Sequence, residues 1–185
     1  MRIMIYVFLA DGFEQMEALV PVDILRRAKM QVKTVSITGK NEAVSTLGVT
    51  VKTDITADEM VLDEQLEAVI LPGGMPGAAN LDGCLRVKEA LEFADKKGAV
   101  IAAICAAPMV LGHAGLLKGK RGVCYPGFEK ELYGAEAADC GVCTDGRIVT
   151  ARGAGVSLEF ALAVTTLLCG EEKAKKIAED IQCRA

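Results

Sequence analysis

Cys105 has the setting that points most directly to chemistry. It follows the apolar run Ala99–Ile104, stands among Ala102, Ala103, Ala106 and Ala107, and leads at once into a helical pattern. A nucleophile on a strand-to-helix elbow needs such small neighbours, because the turn is sharp and strained. The N–H groups at a helix start would favour a thiolate and lower the thiol pKa. The plainer reading is a buried cysteine acting as a small hydrophobe. Glu14 and Glu17 lie three apart at the start of a helical pattern, so they share a face. Carboxylates in a first turn commonly serve as caps and dipole partners. One that leaned into a pocket would have its pKa raised by burial and would exchange a proton with a thiol or a carbonyl oxygen. Gly73-Gly74 is either a turn after a strand or a pair of backbone N–H donors for an oxyanion.

Other chemistry is excluded by spacing. His113 is the only histidine. It stands eight residues past Cys105 on what reads as the same helix, roughly 12 Å away. A Cys–His dyad is therefore disfavoured, and a carboxylate is the better proton carrier. Cys140-Gly-Val-Cys143 has the spacing of a metal or redox pair, but no second ligand pair accompanies it. In a strand its two thiols would face opposite ways. No G-x-G-x-x-G follows the first strand, no phosphate-binding P-loop is present, and Gly155-Val-Ser157 is not a serine elbow. No cofactor and no metal are expected.

These residues need a scaffold, and hydrophobic periodicity supplies one. Strands are expected at Arg2–Leu9, Val32–Ile37, Ala68–Leu71 and Ala99–Ile104. Arg121–Tyr125 and Gly141–Thr144 are weaker strand patterns, with Asp145-Gly146 turning the latter into Arg147–Ala151. A hairpin or edge strand is expected between Ala43 and Thr53. Helical spacing covers Glu14–Ala28, Leu85–Lys97, Ala106–Ala114, Ser157–Leu168 and Glu171–Cys183. The alternation predicts an α/β sandwich, a mostly parallel sheet with helices on both faces. In such a fold ligands bind at the carboxyl ends of the strands. That rule gathers Ala10–Glu17, Pro72–Gly77, Cys105–Pro108 and Ala151–Gly155 around one shallow pocket.

Composition agrees with one domain over residues 1–185. Half of the chain is hydrophobic, 51% of 185 residues, which is enough for a full core without disulfides or metal. A net charge of −4 carries no basic footprint, against nucleic acid or an anionic membrane as partner. Seven irregularly spaced cysteines make a poor disulfide framework, and no secretory signal or membrane-spanning run is visible. A cytoplasmic protein with reduced thiols is expected.

The segment Ala102-Ala-Ile-Cys105-Ala-Ala-Pro108 resembles the nucleophile elbow of the ThiJ/PfpI superfamily, and within it the branch named for the parkinsonism-associated deglycase. Asp11-Gly-Phe-Glu14-Gln-Met-Glu17 is similar to that branch's acidic loop, and Pro21–Ala28 to its first helix. Leu71-Pro-Gly-Gly74 is similar to its oxyanion segment. Arg152-Gly-Ala-Gly155, with Glu159-Phe-Ala-Leu162, is similar to its C-terminal loop and helix. The resemblance implies a flavodoxin-like three-layer sandwich that forms a homodimer. It also implies a cysteine that oxidises readily to sulfinic acid. By position, Cys105 becomes nucleophile and redox centre, and Glu14 the protonated acid/base beside it. Gly73, Gly74 and Ala106 become backbone donors, while Glu17, Arg27, Tyr125 and Arg152 support them. Three departures stand out. Ala106 occupies the place where protease-like relatives carry a His, which weighs against peptidase activity. Tyr125 precedes Pro126 where the branch often has His. Ala107 and Ala154 replace a common Gly and Pro.

The leading expectation is a cysteine-dependent, cofactor-free enzyme that converts a small reactive carbonyl, methylglyoxal or glyoxal, to a hydroxy acid. Such an enzyme would serve under carbonyl and oxidative stress as a glyoxalase or deglycase. The alternatives are a non-enzymatic redox sensor working through oxidation of Cys105, and a chaperone module. All three use the same pocket.

Overall fold

The computed structural model describes residues 3–183, so Arg2, the first residue of the first expected strand, lies outside the described residues. Strand β1 (Met4–Leu9) leads into helix α1 (Gln15–Arg27) and strand β2 (Gln31–Ser36). A small hairpin, β3 (Glu42–Val44) with β4 (Thr50–Lys52), and the two-residue β5 (Ile55–Thr56) follow. Strand β6 (Leu66–Leu71), helices α2 (Gly77–Gly83) and α3 (Leu85–Lys97), strand β7 (Val100–Ile104) and helix α4 (Pro108–His113) form the middle of the chain. The remainder is β8 (Arg121–Gly122), β9 (Glu136–Ala137), β10 (Val142–Asp145), β11 (Ile148–Ala151), α5 (Ser157–Cys169) and α6 (Glu171–Asp180).

The main sheet has seven strands in the order β10-β11-β7-β6-β1-β2-β5. All its pairs are parallel except β10 with β11, which the Asp145-Gly146 turn joins as a hairpin. Its inner parallel order is that of a flavodoxin-like sheet. Successive residues of the inner strands serve opposite cores. Ile5, Val7, Leu9, Ala68, Ile70, Ala102 and Ile104 pack under α1 and α5. Tyr6, Phe8, Val69, Leu71, Ile101 and Ala103 pack under α2, α3 and α4. Strands buried on both faces must be apolar throughout, which is why they read as continuous runs.

Three expectations change. The helix after Cys105 starts at Pro108 rather than Ala106, because residues 105–107 form a turn closed by the Ala107 N–H on the Ile104 carbonyl. The expected strand Arg121–Tyr125 contracts to Arg121–Gly122 and pairs with β9 outside the main sheet. Helix α2 and strand β5 lie where the sequence pattern predicts neither.

The chain leaves β1 toward β2 on one side, and β6 returns on the other. The crevice therefore opens between the carboxyl ends of β1 and β6, with the end of β7 beside it.

Candidate active site

Cys105 stands at the end of β7 with φ +65°, a left-handed conformation rare for a residue with a side chain. It is held there from two sides. Its N–H donates to the Ala151 carbonyl at 2.8 Å, and its own carbonyl accepts the Tyr125 N–H at 2.8 Å. The strain, of order 1–3 kcal/mol, aims the half-buried sulfur into the crevice. The loop after β6 approaches so closely that only glycine fits. A Cβ on Gly73 would come within 2.6 Å of Cys105 Cβ and 2.7 Å of Glu17 Oε2.

The structure brings Glu17, rather than Glu14, to the sulfur. Glu14, expected beside the sulfur, is the N-cap of α1, with extended backbone and a carboxylate that accepts the Glu17 N–H at 2.8 Å. Its side chain is spent on the helix end, as a first-turn capping carboxylate often is. Glu17 lies one turn inside α1 and is only 1% exposed. Its Oε2 accepts the Gly73 N–H at 2.9 Å, and its carboxyl also meets the Ala154 N–H and the Cys105 sulfur. Oε1 is buried without an N–H or O–H of normal geometry to satisfy it.

Burial pushes the Glu17 carboxyl up to about 7, against the pull of its contact with Cys105 and of the backbone donors. Burial and the charge of an ionised Glu17 push the Cys105 thiol up to about 12, while the N–H groups of Gly74 and Ala106 act the other way. Helix-start stabilisation of a thiolate is thus outweighed, since α4 is only six residues long and begins three residues on. The two side chains titrate as one pair. A buried anion with an orphaned oxygen is costly. The thiol, which keeps its proton beside an ionised Glu17, donates toward that carboxyl, so the pair carries one charge rather than two.

The other expected site residues divide. Gly74 and Ala106 supply N–H groups to the sulfur. Gly73 does not, because its N–H belongs to Glu17. Tyr125 stands at the mouth, half exposed, its ring beside Gly153. Arg27 is away from the site. It occupies the last turn of α1, roughly 15 Å along the helix from Glu17, and pairs with Asp23 in solvent at 2.7 Å. Arg152 sends its guanidinium to the exposed Asp139 at 3.0 Å and lines a separate small cavity with Cys124 and Pro126. Met75 and the Ala154 N–H fall within the expected segments Pro72–Gly77 and Ala151–Gly155 without being singled out there, and Phe128 was missed. Gly74, Met75, Cys105, Ala106, Tyr125 and Phe128 enclose a pocket of about 140 Å³ over the sulfur. Met75 was detectable as the residue following the Gly-Gly pair; Phe128 arrives through a turn that no pattern announces. His113 is remote from the sulfur, as its spacing predicts, and bridges Asp82 and Glu131 at 3.0 Å each.

Among the described residues no group of His, Cys, Asp and Glu is arranged to hold a metal ion, and no helix is long and apolar enough to cross a membrane. The chain matches the DJ-1/PfpI family over residues 3–167. It is 36% identical to the DJ-1alpha protein of Drosophila melanogaster over 94% of this chain and 81% of that one. It is 34% identical to a deglycase of Pyrococcus abyssi over 77% of this chain and 86% of that one. It also spans 40% of the longer DJ-1 homolog B of Arabidopsis thaliana, at 34% identity over 95% of this chain. The solved structure of oxidised Toxoplasma gondii DJ-1 superposes with a TM-score of 0.92 at 34% identity, covering 97% of this chain and 98% of that one. This chain therefore belongs to the DJ-1/PfpI family, in its DJ-1 branch.

Proposed function

We propose that the protein is a cofactor-free, cysteine-dependent enzyme acting on small reactive carbonyls such as methylglyoxal and glyoxal. One observation carries the reading. A buried carboxyl with an unsatisfied oxygen meets a sulfur that already receives two backbone N–H groups, under a pocket sized for a three-carbon substrate. The Cys105 sulfur adds to the aldehyde carbon as its thiol proton passes through Glu17 to the new alkoxide, giving a hemithioacetal. Glu17, now a carboxylate, removes the proton from the former aldehyde carbon and returns it to the neighbouring carbonyl carbon through an enediol. The product is a thioester of the hydroxy acid. Water cleaves it, restoring the thiol and releasing lactate from methylglyoxal, so that the sum is substrate plus one water. Sequence similarity to a Pyrococcus deglycase supports this class.

The test is methylglyoxal loss with chiral lactate detection, without added glutathione. Cys105→Ser and Glu17→Gln should abolish turnover or cut it about 10²–10⁴-fold, the usual scale for acid–base groups. Glu14→Gln, which alters only a cap, should remain within a few-fold. Equal loss in Glu14→Gln and full activity in Glu17→Gln would overturn the assignment.

A second reading rests on the same donors. Gly74, Ala106 and Glu17 surround the sulfur closely enough to hold an oxygen added to it, and a Toxoplasma relative was solved in oxidised form. Oxidation of Cys105 to sulfinic acid would then serve as a redox signal in the cytoplasm. For assembly we infer a homodimer. Met16 and Leu19 on α1, and Leu47 and Val49 at the β3–β4 turn, are exposed apolar side chains that a second copy would cover.

A further inference from the structure

The Cys140-Gly-Val-Cys143 spacing predicts thiols on opposite faces of a strand, and the structure overturns that. Strand β10 begins only at Val142, and the chain bends at Cys140 and Gly141 before entering it. The bend is fixed by its neighbours. The Gly141 carbonyl accepts the Arg152 N–H at 2.9 Å, and Val156 packs so close to Gly141 that a Cβ there would lie 3.2 Å from its Cγ1. With the alternation broken at this bend, the Cys140 thiol comes within side-chain hydrogen-bonding reach of Cys143. Both are reduced, Cys140 partly exposed and Cys143 buried. Arg121 lies close enough to favour a thiolate at Cys143, against the burial that opposes one. No third ligand joins them among the described residues, so a metal centre does not explain the pair. Strand β10 is the edge of the sheet, hydrogen-bonded there to β11 alone, so it can absorb a small shift.

We propose that Cys140 and Cys143 form a reversible dithiol–disulfide site, separate from Cys105 and oxidised by hydroperoxides. The Cys140 thiolate attacks the peroxide, the O–O bond breaks, and Cys140 becomes a sulfenic acid while an alcohol, or water from hydrogen peroxide, departs. The Cys143 sulfur then displaces the hydroxyl from the Cys140 sulfur, and its proton leaves with that hydroxyl as water. Two thiols and one peroxide thus give one disulfide, one alcohol and one water, with two electrons passing to the peroxide. An external dithiol reverses it. The bond requires the sulfurs to close to about 2.05 Å.

The tryptic peptide 131–147 contains these two cysteines and no other. The reduced full chain is exposed to hydrogen peroxide, quenched with an alkylating reagent, digested without reduction and weighed. The peptide should lose two hydrogen masses and take no alkyl group, then take two after treatment with dithiothreitol. The same result is expected in Cys105→Ser. In Cys143→Ser, Cys140 should instead be trapped by dimedone as a sulfenic acid. Full alkylation of both residues at peroxide doses that oxidise Cys105 would overturn the proposal, and so would a Cys140 link to any other cysteine.

Discussion

Replacing Glu17 by Gln should remove a specific pH dependence from folding stability. The unfolded carboxyl titrates near its ordinary value of 4.5, and in the fold it is raised to about 7. Between those values the folded state binds the extra proton, so stability falls as pH rises. The contribution is fully present below 4.5 and gone once pH passes the folded value. At about 1.4 kcal/mol per pH unit, that window is worth about 3 kcal/mol. The prediction does not depend on which partner of the Glu17–Cys105 pair ionises first near pH 7, because linkage counts protons only. Gln keeps the side chain's volume and its acceptor for the Gly73 N–H, yet cannot ionise. Urea unfolding of wild type and Glu17→Gln should be compared at half-unit steps from pH 4.5 to 8. Relative to wild type, the variant should gain about 3 kcal/mol across that range and become the more stable protein at pH 8. Curves that stay parallel within about 0.5 kcal/mol would show that Glu17 titrates normally, and the proton-sharing account of the site would fail with it.

Gly73→Ala forces a methyl against both Cys105 Cβ and Glu17 Oε2. It should cost about 1–3 kcal/mol by overpacking and suppress methylglyoxal turnover while far-UV circular dichroism stays native. His113, raised by its hydrogen bonds to Glu131 and Asp82, should stabilise the fold fully below its ordinary value of 6.5 and lose that contribution as pH rises through the folded value. The melting-temperature advantage of wild type over His113→Gln should therefore shrink between pH 6 and pH 9. Charging the exposed side of α1 with Met16→Glu and Leu19→Glu should convert a dimer to monomer in sedimentation velocity; an unchanged sedimentation coefficient would exclude α1 as the interface.

Much of this architecture was legible because the inner strands are buried on both faces. Their uninterrupted apolar runs could be placed without knowing what covered them. Helix α3 was bounded correctly from sequence, since Gly98 supplies the left-handed residue that ends it, with φ +78°. Helix α2, Gly-Ala-Ala-Asn-Leu-Asp-Gly, carries too few apolar residues to show a period and has no capping side chain. The two thiols of Cys140 and Cys143 defeated the strand rule for a related reason. A single bend before β10 breaks the alternation, and that bend depends on Arg152 and Val156, distant in sequence.

The exchange of Glu14 for Glu17 follows from the same limit. Spacing of three places both carboxylates on one helix face, but Glu14 lies outside the helix as its cap and Glu17 inside it. Which of them reaches the sulfur is decided by the approach of Gly73 from the loop after β6, a tertiary fact. That approach also bears on the plainest reading of Cys105, a small residue filling space. Packing alone would require neither a left-handed backbone at a side-chain-bearing residue nor a buried carboxyl with one oxygen unsatisfied. Glycine at position 105 would relieve the backbone strain, and glutamine at 17 would fill the same volume without a buried charge. The fold instead sustains about 1–3 kcal/mol of backbone strain together with the cost of burying Glu17, both centred on one sulfur. Such a concentration of unfavourable terms is the mark of a site held ready for chemistry. It supports turnover or oxidation at Cys105 over a purely structural role.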